Sequence, residues 1–347
     1  MNRILSYPEA IREAIEHEML RDSSVFVMGQ GADDPKAILG TTRNLTEKFG
    51  ADRVFDTPLS EDAMTGVAIG ASIAGLRPIH IHIRMDFLLL AMNQIINMAA
   101  KMHYMSAGRL SVPLVIRAII GKSWGQGPQH SQAIYPLFMN IPGLKIVLPA
   151  TPYDAKGCLI NSIRDDNPVI FIEHRLLYYQ KGYVPKKPYI VPFGKARVLA
   201  EGCDITLVGI SHMAIECLRA AKLLKAKGIS AEVIDPVSLH PLDIKTIELS
   251  VKKTRKVIIV DNAWATCGAG SEIITQLFER KYIKGIDACR MGFAFTTCPT
   301  TPTLEEHFYP DAKKIASKAY QICYPRKRPW HPAAKLKIEE VEFKGPF

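Results

Sequence analysis

Residues 145–173 read KIVLPATPYDAKGCLINSIRDDNPVIFIE, and this stretch decides the fold class. KIVL (145–148) and VIFIE (169–173) are short, continuously apolar runs of strand character, and Pro152–Arg164 between them is long enough for a helix. Two such strands joined by a helical crossover lie parallel in one sheet. The alternation extends in both directions. SVFVMG (24–29), RVF (53–55), RPIHIHI (77–83) and LVIRAII (114–120) read as further strands. Residues 7–20, Glu61–Ala74 behind a Ser60 N-cap, and Phe87–His103 read as helices. From Tyr178 to Phe193, YYQKGYVPKKPYIVPF holds three prolines and three lysines in sixteen residues, which suits neither a helix nor a central strand. Beyond it DITLVGI, SAEVIDP, KVIIVD and IDACRMG alternate with helices over Met213–Lys227, Asp243–Lys253 and Ser271–Arg280. The expected architecture is α/β with two doubly wound domains, 1–177 and 195–323, a linker at 178–194 and a charged, proline-studded C-terminal arm at 324–347.

The 347 residues are 48% apolar and 22% charged, which excludes a disordered chain. The first twenty residues lack an apolar core and carry glutamates at 9, 13, 16 and 18, so a targeting peptide is not expected. Arg84 and Asp86 interrupt the longest apolar stretch, Ile79 to Ala100, so neither a membrane span nor a membrane partner is expected. The cysteines at 158, 203, 217, 267, 289, 298 and 323 form no CxxC pair, which argues against structural zinc and for reduced thiols in a cytoplasmic protein. Lys+Arg 44 against Asp+Glu 34 gives a formal charge of +10. Without a basic stripe interleaved with aromatics, nucleic acid is not the expected partner; a polyanionic substrate or an acidic subunit suits the charge better.

Three groups of residues could carry chemistry. In DTPLSED (56–62), at a strand-to-helix junction, a carboxylate lies where open parallel sheets gather ligands, although Glu61 in a first helical turn is also favoured by the helix dipole alone. In GKSWGQGPQHSQ (121–132), three glycines mark a loop and His130 is poised near neutrality for acid or base work, or simply caps a helix. This loop matches no phosphate-binding fingerprint. His80, His82 and Arg84 share one face of a strand; they could hold an anion, meet another subunit or, for His80, be buried and hydrogen-bonded. Two histidines at i, i+2 are a weak metal signal, and no metal site is expected on this chain.

Taken in order, TPLSED (57–62), AIGASIAGLRPI (68–79), QIINMAAKMHYMSAG (94–108), QHSQ (129–132), PGLKIVLPATPYDAKG (142–157), DNPVIFIEH (166–174), VIDPVSLHPLDIKTIELSVKKT (233–254), VIIVDNAW (257–264) and GAGSEI (268–273) have a familiar look. The chain resembles the β subunit of thiamin-diphosphate-dependent 2-oxoacid dehydrogenases of the pyruvate, branched-chain and acetoin type. These pair a transketolase-like pyrimidine-binding domain with a transketolase C-terminal-like domain. The resemblance implies that Glu61 is the carboxyl bonded to the cofactor's aminopyrimidine, that Phe87 packs on that ring, that Leu59 lines the pocket and that His130 is the active-site histidine. It also implies that an α subunit supplies the diphosphate site and its Mg2+, since this chain contains no GDG motif. An α2β2 heterotetramer with a β–β contact follows from the same resemblance, with a lipoyl acyltransferase as a further partner.

Departures from the family pattern sit near substrate and partner surfaces. Ile81 and Arg84 stand where an acidic residue and an aromatic or Thr are usual, Pro236 and His240 replace an Arg-containing turn, and FTTCPTTPTLEEHFYP follows the last strand. Arg84 with His80 and His82 would suit a phosphorylated or carboxylated substrate. The expected function is decarboxylation of a pyruvate-like 2-oxoacid with transfer of the acyl or hydroxyalkyl unit to lipoyl-lysine. Transfer of a two-carbon unit to a carbonyl or sugar acceptor is the alternative, and a non-catalytic assembly subunit the second alternative.

Overall fold

The strands of this protein form where β-branched and aliphatic residues run without a break, because a parallel sheet covered on both faces buries every position of its central strands. The computed structural model describes residues 3–34, 36–122, 125–280 and 285–333, and these fall into two units. The first comprises residues 3–122 and 130–193, the second 125–129 and 194–333.

In the first unit β1 (Ile4–Ser6) leads into the helix Tyr7–Arg21, followed by β2 (Val25–Gly29) and β3 (Val54–Phe55). The helix Glu61–Ile73 precedes β4 (Arg77–His82), and β5 (Val115–Ile120) and β6 (Lys145–Val147) lead to the helix Pro152–Arg164. β7 (Val169–His174) and β8 (Lys181–Tyr183) complete it. The parallel strands stand in the order β6-β7-β5-β4-β2-β3. β5 and β7 are buried at every position and pair in register from Val115↔Val169 to Ile120↔His174. In their midst Arg117 donates from Nε to Glu173 Oε1 at 2.6 Å and from Nη2 to Oε2 at 2.9 Å, with no side-chain exposure on either residue. The Tyr178 hydroxyl adds a third bond to Glu173 at 2.8 Å, and its ring stacks on Tyr7 of the first helix. Burial works against the Arg117 charge, but the Glu173 carboxylate outweighs it and holds the guanidinium pKa above its usual value.

The proline-rich stretch read as a linker packs against this unit. Lys181–Tyr183 pairs antiparallel with β1, and the buried Lys156 ammonium bonds Glu13 and the carbonyl oxygens of Pro185, Lys186 and Lys187. At Gly157 a Cβ would stand 2.5 Å from Val191, so the absence of a side chain lets the stretch lie directly on the helix.

The single helix expected over Phe87–His103 is three windings: a 3-10 segment Met85–Ala91, a π segment Asn93–Ala99 and an α-helix Ala100–Met105. Burial follows the winding, at Met85, Leu88 and Ala91 and then at Ile95 and Ala99. Apolar residues occur on every side of this stretch, so its periodicity could not disclose the change of pitch.

The second unit holds β9 (Arg197–Ala200), β10 (Ile205–Gly209), β11 (Ala231–Asp235), β12 (Ser238–His240), β13 (Lys256–Trp264) and β14 (Asp287–Phe293). Five of them form a sheet in the order β14-β13-β10-β11-β9, parallel except for the antiparallel edge strand β9. β9 escaped the sequence reading because its short RVLA run is only partly covered. The helices His212–Lys225, Ile244–Thr254, Ala269–Glu279, Pro302–Phe308 and Ala312–Cys323 complete this unit. Leu207, Cys217, Leu224, Val233, Ile258 and Ile315 belong to its core. Of the expected arm, Tyr324 and Trp330 pack on that core, whereas residues 334–347 lie outside the described residues.

Removing one partner of a buried ion pair strands the other charge in low dielectric. Arg117→Ala is therefore expected to lower stability by about 3–5 kcal/mol, read as a fall in the denaturant midpoint, while Lys181→Ala at an exposed position of β8 shifts it little.

Candidate active site

β2, β3, β4 and β5 end at Gly29, Phe55, His82 and Ile120, and the candidate residues collect at and just beyond these carboxyl ends. Gly29 adopts φ +144°, and a Cβ there would lie 2.4 Å from the Ile81 carbonyl oxygen, so only glycine lets the chain leave β2 so close to β4. The next two residues bind the following loop. The Gln30 amide donates to Glu61 Oε1 at 2.9 Å, and the Gly31 N–H donates to Asp56 Oδ1 at 2.7 Å. Asp56 also accepts from the Thr57 N–H at 2.8 Å and serves as a loop-holding carboxylate.

Glu61 is the first residue of its helix and is buried to 9% exposure. Ser60 stands at the N-cap as expected, but its side chain makes no capping bond; its carbonyl accepts from the Met64 N–H instead. Gln30 is the hydrogen-bond partner of Glu61 among the described residues, so one carboxylate oxygen is fixed while the other keeps its acceptor capacity. Leu59, two residues earlier, is 82% exposed and is no core leucine.

Phe87 and His130, forty-three positions apart in sequence, meet edge to face with ring centroids 5.4 Å apart at 84°. Both are half-buried. Asp86, beside Phe87, is buried, and its Oδ1 accepts from the Gln132 N–H at 3.2 Å and from the Gln132 amide at 2.9 Å. Burial raises the Asp86 pKa against the opposing bonds from Gln132. Ser123 and Trp124 of the glycine loop lie outside the described residues.

The trio on β4 corrects the sequence reading. His80 and His82 are buried at 2% exposure, with rings 4.3 Å apart in an edge contact. Register and alternation put them on the sheet face opposite Arg117 and Glu173. Burial pushes His80 down to about 4 and His82 well below its usual value, so both are neutral at pH 7 and present no cationic surface to an anion. His80 Nδ1 has no hydrogen-bond partner among the described residues, so the hydrogen-bonded reading fails at that atom. Only Arg84 keeps a charge; it is buried, donates to the Ile83 carbonyl at 2.7 Å, and is lowered to about 9 by burial and then by Arg175.

The sequence reading thus named Glu61, Phe87 and His130 but missed Gln30, Asp86 and Gln132. Gln30 lies between two glycines at a strand end, a pattern that signals close backbone approach; Asp86 carries no local signal. No group of three His, Cys, Asp or Glu able to hold a metal occurs among the described residues, and none of their helices is long and apolar enough to cross a membrane.

Comparison with known proteins gives two family matches: the transketolase pyrimidine-binding domain over residues 4–181 and the transketolase C-terminal domain over 194–315. The chain is 42% identical over 334 residues to the β subunit of acetoin:2,6-dichlorophenolindophenol oxidoreductase of Cupriavidus necator, covering 92% of this chain and 97% of that one. It is 43% identical over 300 residues to the pyruvate dehydrogenase E1 component subunit β of Gracilaria tenuistipitata var. liui, covering 86% and 92%. Among solved structures, a split-gene transketolase described as an inactive β4 tetramer matches with TM-score 0.76 at 24% identity, over 93% of this chain and all of that one. At that identity it attests the fold.

A histidine whose folded pKa lies below its unfolded value of about 6.5 contributes stability that is complete above that value and is lost as pH falls. With His80 at about 4, acidification from pH 6.5 to 4 is expected to remove about 3 kcal/mol through this residue. Unfolding titrations of the wild type and His80→Gln across that interval should show a shallower acid limb for the variant.

Proposed function

The chain belongs to the transketolase-like family, among the β subunits of thiamin-diphosphate-dependent 2-oxoacid dehydrogenases, and on that premise we propose that it supplies the pyrimidine half of a site completed by an α subunit. The observation that carries this reading is the Glu61 carboxylate, buried in a first helical turn, held through one oxygen by Gln30 and left with acceptor capacity on the other. That acceptor fits an aminopyrimidine ring, which offers N–H groups to a carboxylate. Phe87 offers an aromatic surface of the right kind for the ring, and exposed Leu59 an apolar edge. The chain lacks a GDG motif, so the diphosphate and its Mg2+ are assigned to the partner.

Bound there, thiamin diphosphate supplies the electron sink that lets a 2-oxoacid lose carbon dioxide. The task of Glu61 is to accept and hold a proton-bearing nitrogen at a fixed position, and the helix terminus favours its negative charge. His130, half-buried against Phe87, gives or takes a proton at the substrate. We assign a pyruvate-like 2-oxoacid as substrate and lipoyl-lysine of an acyltransferase as acceptor. The 42% identity to a subunit named for acetoin favours acetoin as a second substrate.

Exposed Leu59, Val67, Leu89, Leu90 and Met98 leave apolar surface on and beside the Glu61 helix, which supports an α2β2 assembly with α–β and β–β contacts. Free cysteines such as buried Cys217 suit a reducing compartment, and we place the protein in the cytoplasm.

Calorimetry with thiamin diphosphate and Mg2+ is expected to show tight binding for the chain with its α partner and none for the chain alone. Glu61→Gln should lower decarboxylation of pyruvate by the assembly at least ~100-fold while leaving the subunit stoichiometry on size exclusion unchanged. Unaltered turnover by this variant would overturn the enzymatic reading in favour of a scaffold.

A further inference from the structure

Asp86 is the buried acid at the carboxyl end of β4 that the proposed chemistry does not use. It is 6% exposed, and it touches the site from two directions. Through the chain it is joined to Phe87, whose ring edge meets His130. Through space its Oδ1 accepts both the backbone N–H and the side-chain amide of Gln132, two residues beyond His130. Paired bonds from one residue fix its backbone and its side chain together, so the segment His130–Gln132 has little freedom to turn away from Phe87. Its other oxygen, Oδ2, is buried with no hydrogen-bond partner among the described residues. A buried carboxylate oxygen left in this way is destabilising, and a purely structural acceptor for Gln132 would need only one oxygen. The groups acting electrostatically on Asp86 are His130, which favours its charge, and Arg84, which it favours in turn.

We infer that Asp86 is a positioning residue for His130: by clamping Gln132 it holds the imidazole against Phe87 in the orientation that proton transfer at the substrate requires. The inference rests on His130 acting at the substrate as set out above. It assigns Asp86 no contact with substrate. In the 3-10 segment Met85–Ala91 the neighbours Asp86 and Phe87 make separate contacts, one with Gln132 and one with His130.

The test compares Asp86→Ala, which removes both acceptors, with Asp86→Asn, which keeps Oδ1 for Gln132. Two readouts are taken. The first is amide hydrogen exchange of the full chain over residues 130–132, which needs no activity. Here Asp86→Ala should speed exchange of the Gln132 amide at least tenfold, and Asp86→Asn should leave it near wild type. The second is steady-state decarboxylation of pyruvate by the α–β assembly. Here Asp86→Ala should lower kcat ten- to a hundredfold with KM and thiamin diphosphate affinity little changed, and Asp86→Asn should restore activity to at least a third of wild type. Unchanged exchange in Asp86→Ala would refute the clamp. Faster exchange with undiminished kcat would show a clamp that does not serve catalysis and would also overturn the inference, as would an Asp86→Asn as slow as Asp86→Ala despite normal exchange. Failure of the functional reading itself would be visible elsewhere, as a wild-type assembly with no thiamin-dependent turnover; a role for Asp86 in positioning a catalytic His130 would fall with it, whatever the exchange data show of the clamp.

Discussion

The bidentate pair between Arg117 and Glu173 is the interaction on which the first unit depends. It crosslinks β5 and β7 at the centre of the sheet, where neither charge reaches water, and Tyr178 and Tyr7 seal it against the first helix. An isolated charge at this depth would be untenable, so the register that pairs Arg117 with Phe171 and Ile119 with Glu173 must keep the guanidinium within diagonal reach of the carboxylate. That register in turn fixes where β5 and β7 end. Gly121, at the close of β5, has φ +102° and would put a Cβ 2.6 Å from the His174 ring at the close of β7. A one-residue slip would turn one member of the pair to the other face of the sheet and break it. The carboxyl rim that carries the candidate site thus inherits its geometry from a pair of charges that takes no part in the chemistry.

Much of this was legible in the sequence, for a definite reason. Parallel strands buried on both faces must be continuously apolar, so KIVL, LVIRAII and VIFIE announce themselves, and amphipathic helices between them leave one topology class. Glu61 and His130 could be singled out only because whole collinear motifs surround them; spacing alone favoured an acidic residue that satisfies a helix dipole for Glu61 and left His130 level with a helix-capping histidine. What stayed hidden depends on contacts between residues remote in sequence. Asp86 and Gln132 are forty-six positions apart, and nothing near either one forecasts their pairing. The change of helical pitch after Arg84 was hidden because MDFLLLAMNQIINMAA keeps a roughly helical spacing of polar Asp86, Asn93, Gln94 and Asn97 against apolar neighbours, which does not distinguish one helical pitch from another.

The histidines of β4 show how alternation can mislead. Period-two spacing put His80, His82 and Arg84 on one face; His80 and His82 do share one, while Arg84 lies beyond the end of β4. Composition allowed an anion-holding strip beside a subunit contact or, for His80, burial. The inference failed at burial, because a strand central to a covered sheet gives water to neither face, and a buried imidazole loses its proton. Residue type and orientation were right, and the dielectric decided the chemistry.

The edge strand β9 bears on how these molecules behave in a crowded solution. It is four residues long, antiparallel to its neighbour, and carries Arg197 within it and Lys195 just before it. A short, cationic margin of this kind repels a like margin on another molecule and offers few free backbone groups for pairing. At this edge the second sheet therefore resists continuing from one molecule into the next, and the positive charge there works against fibrous association.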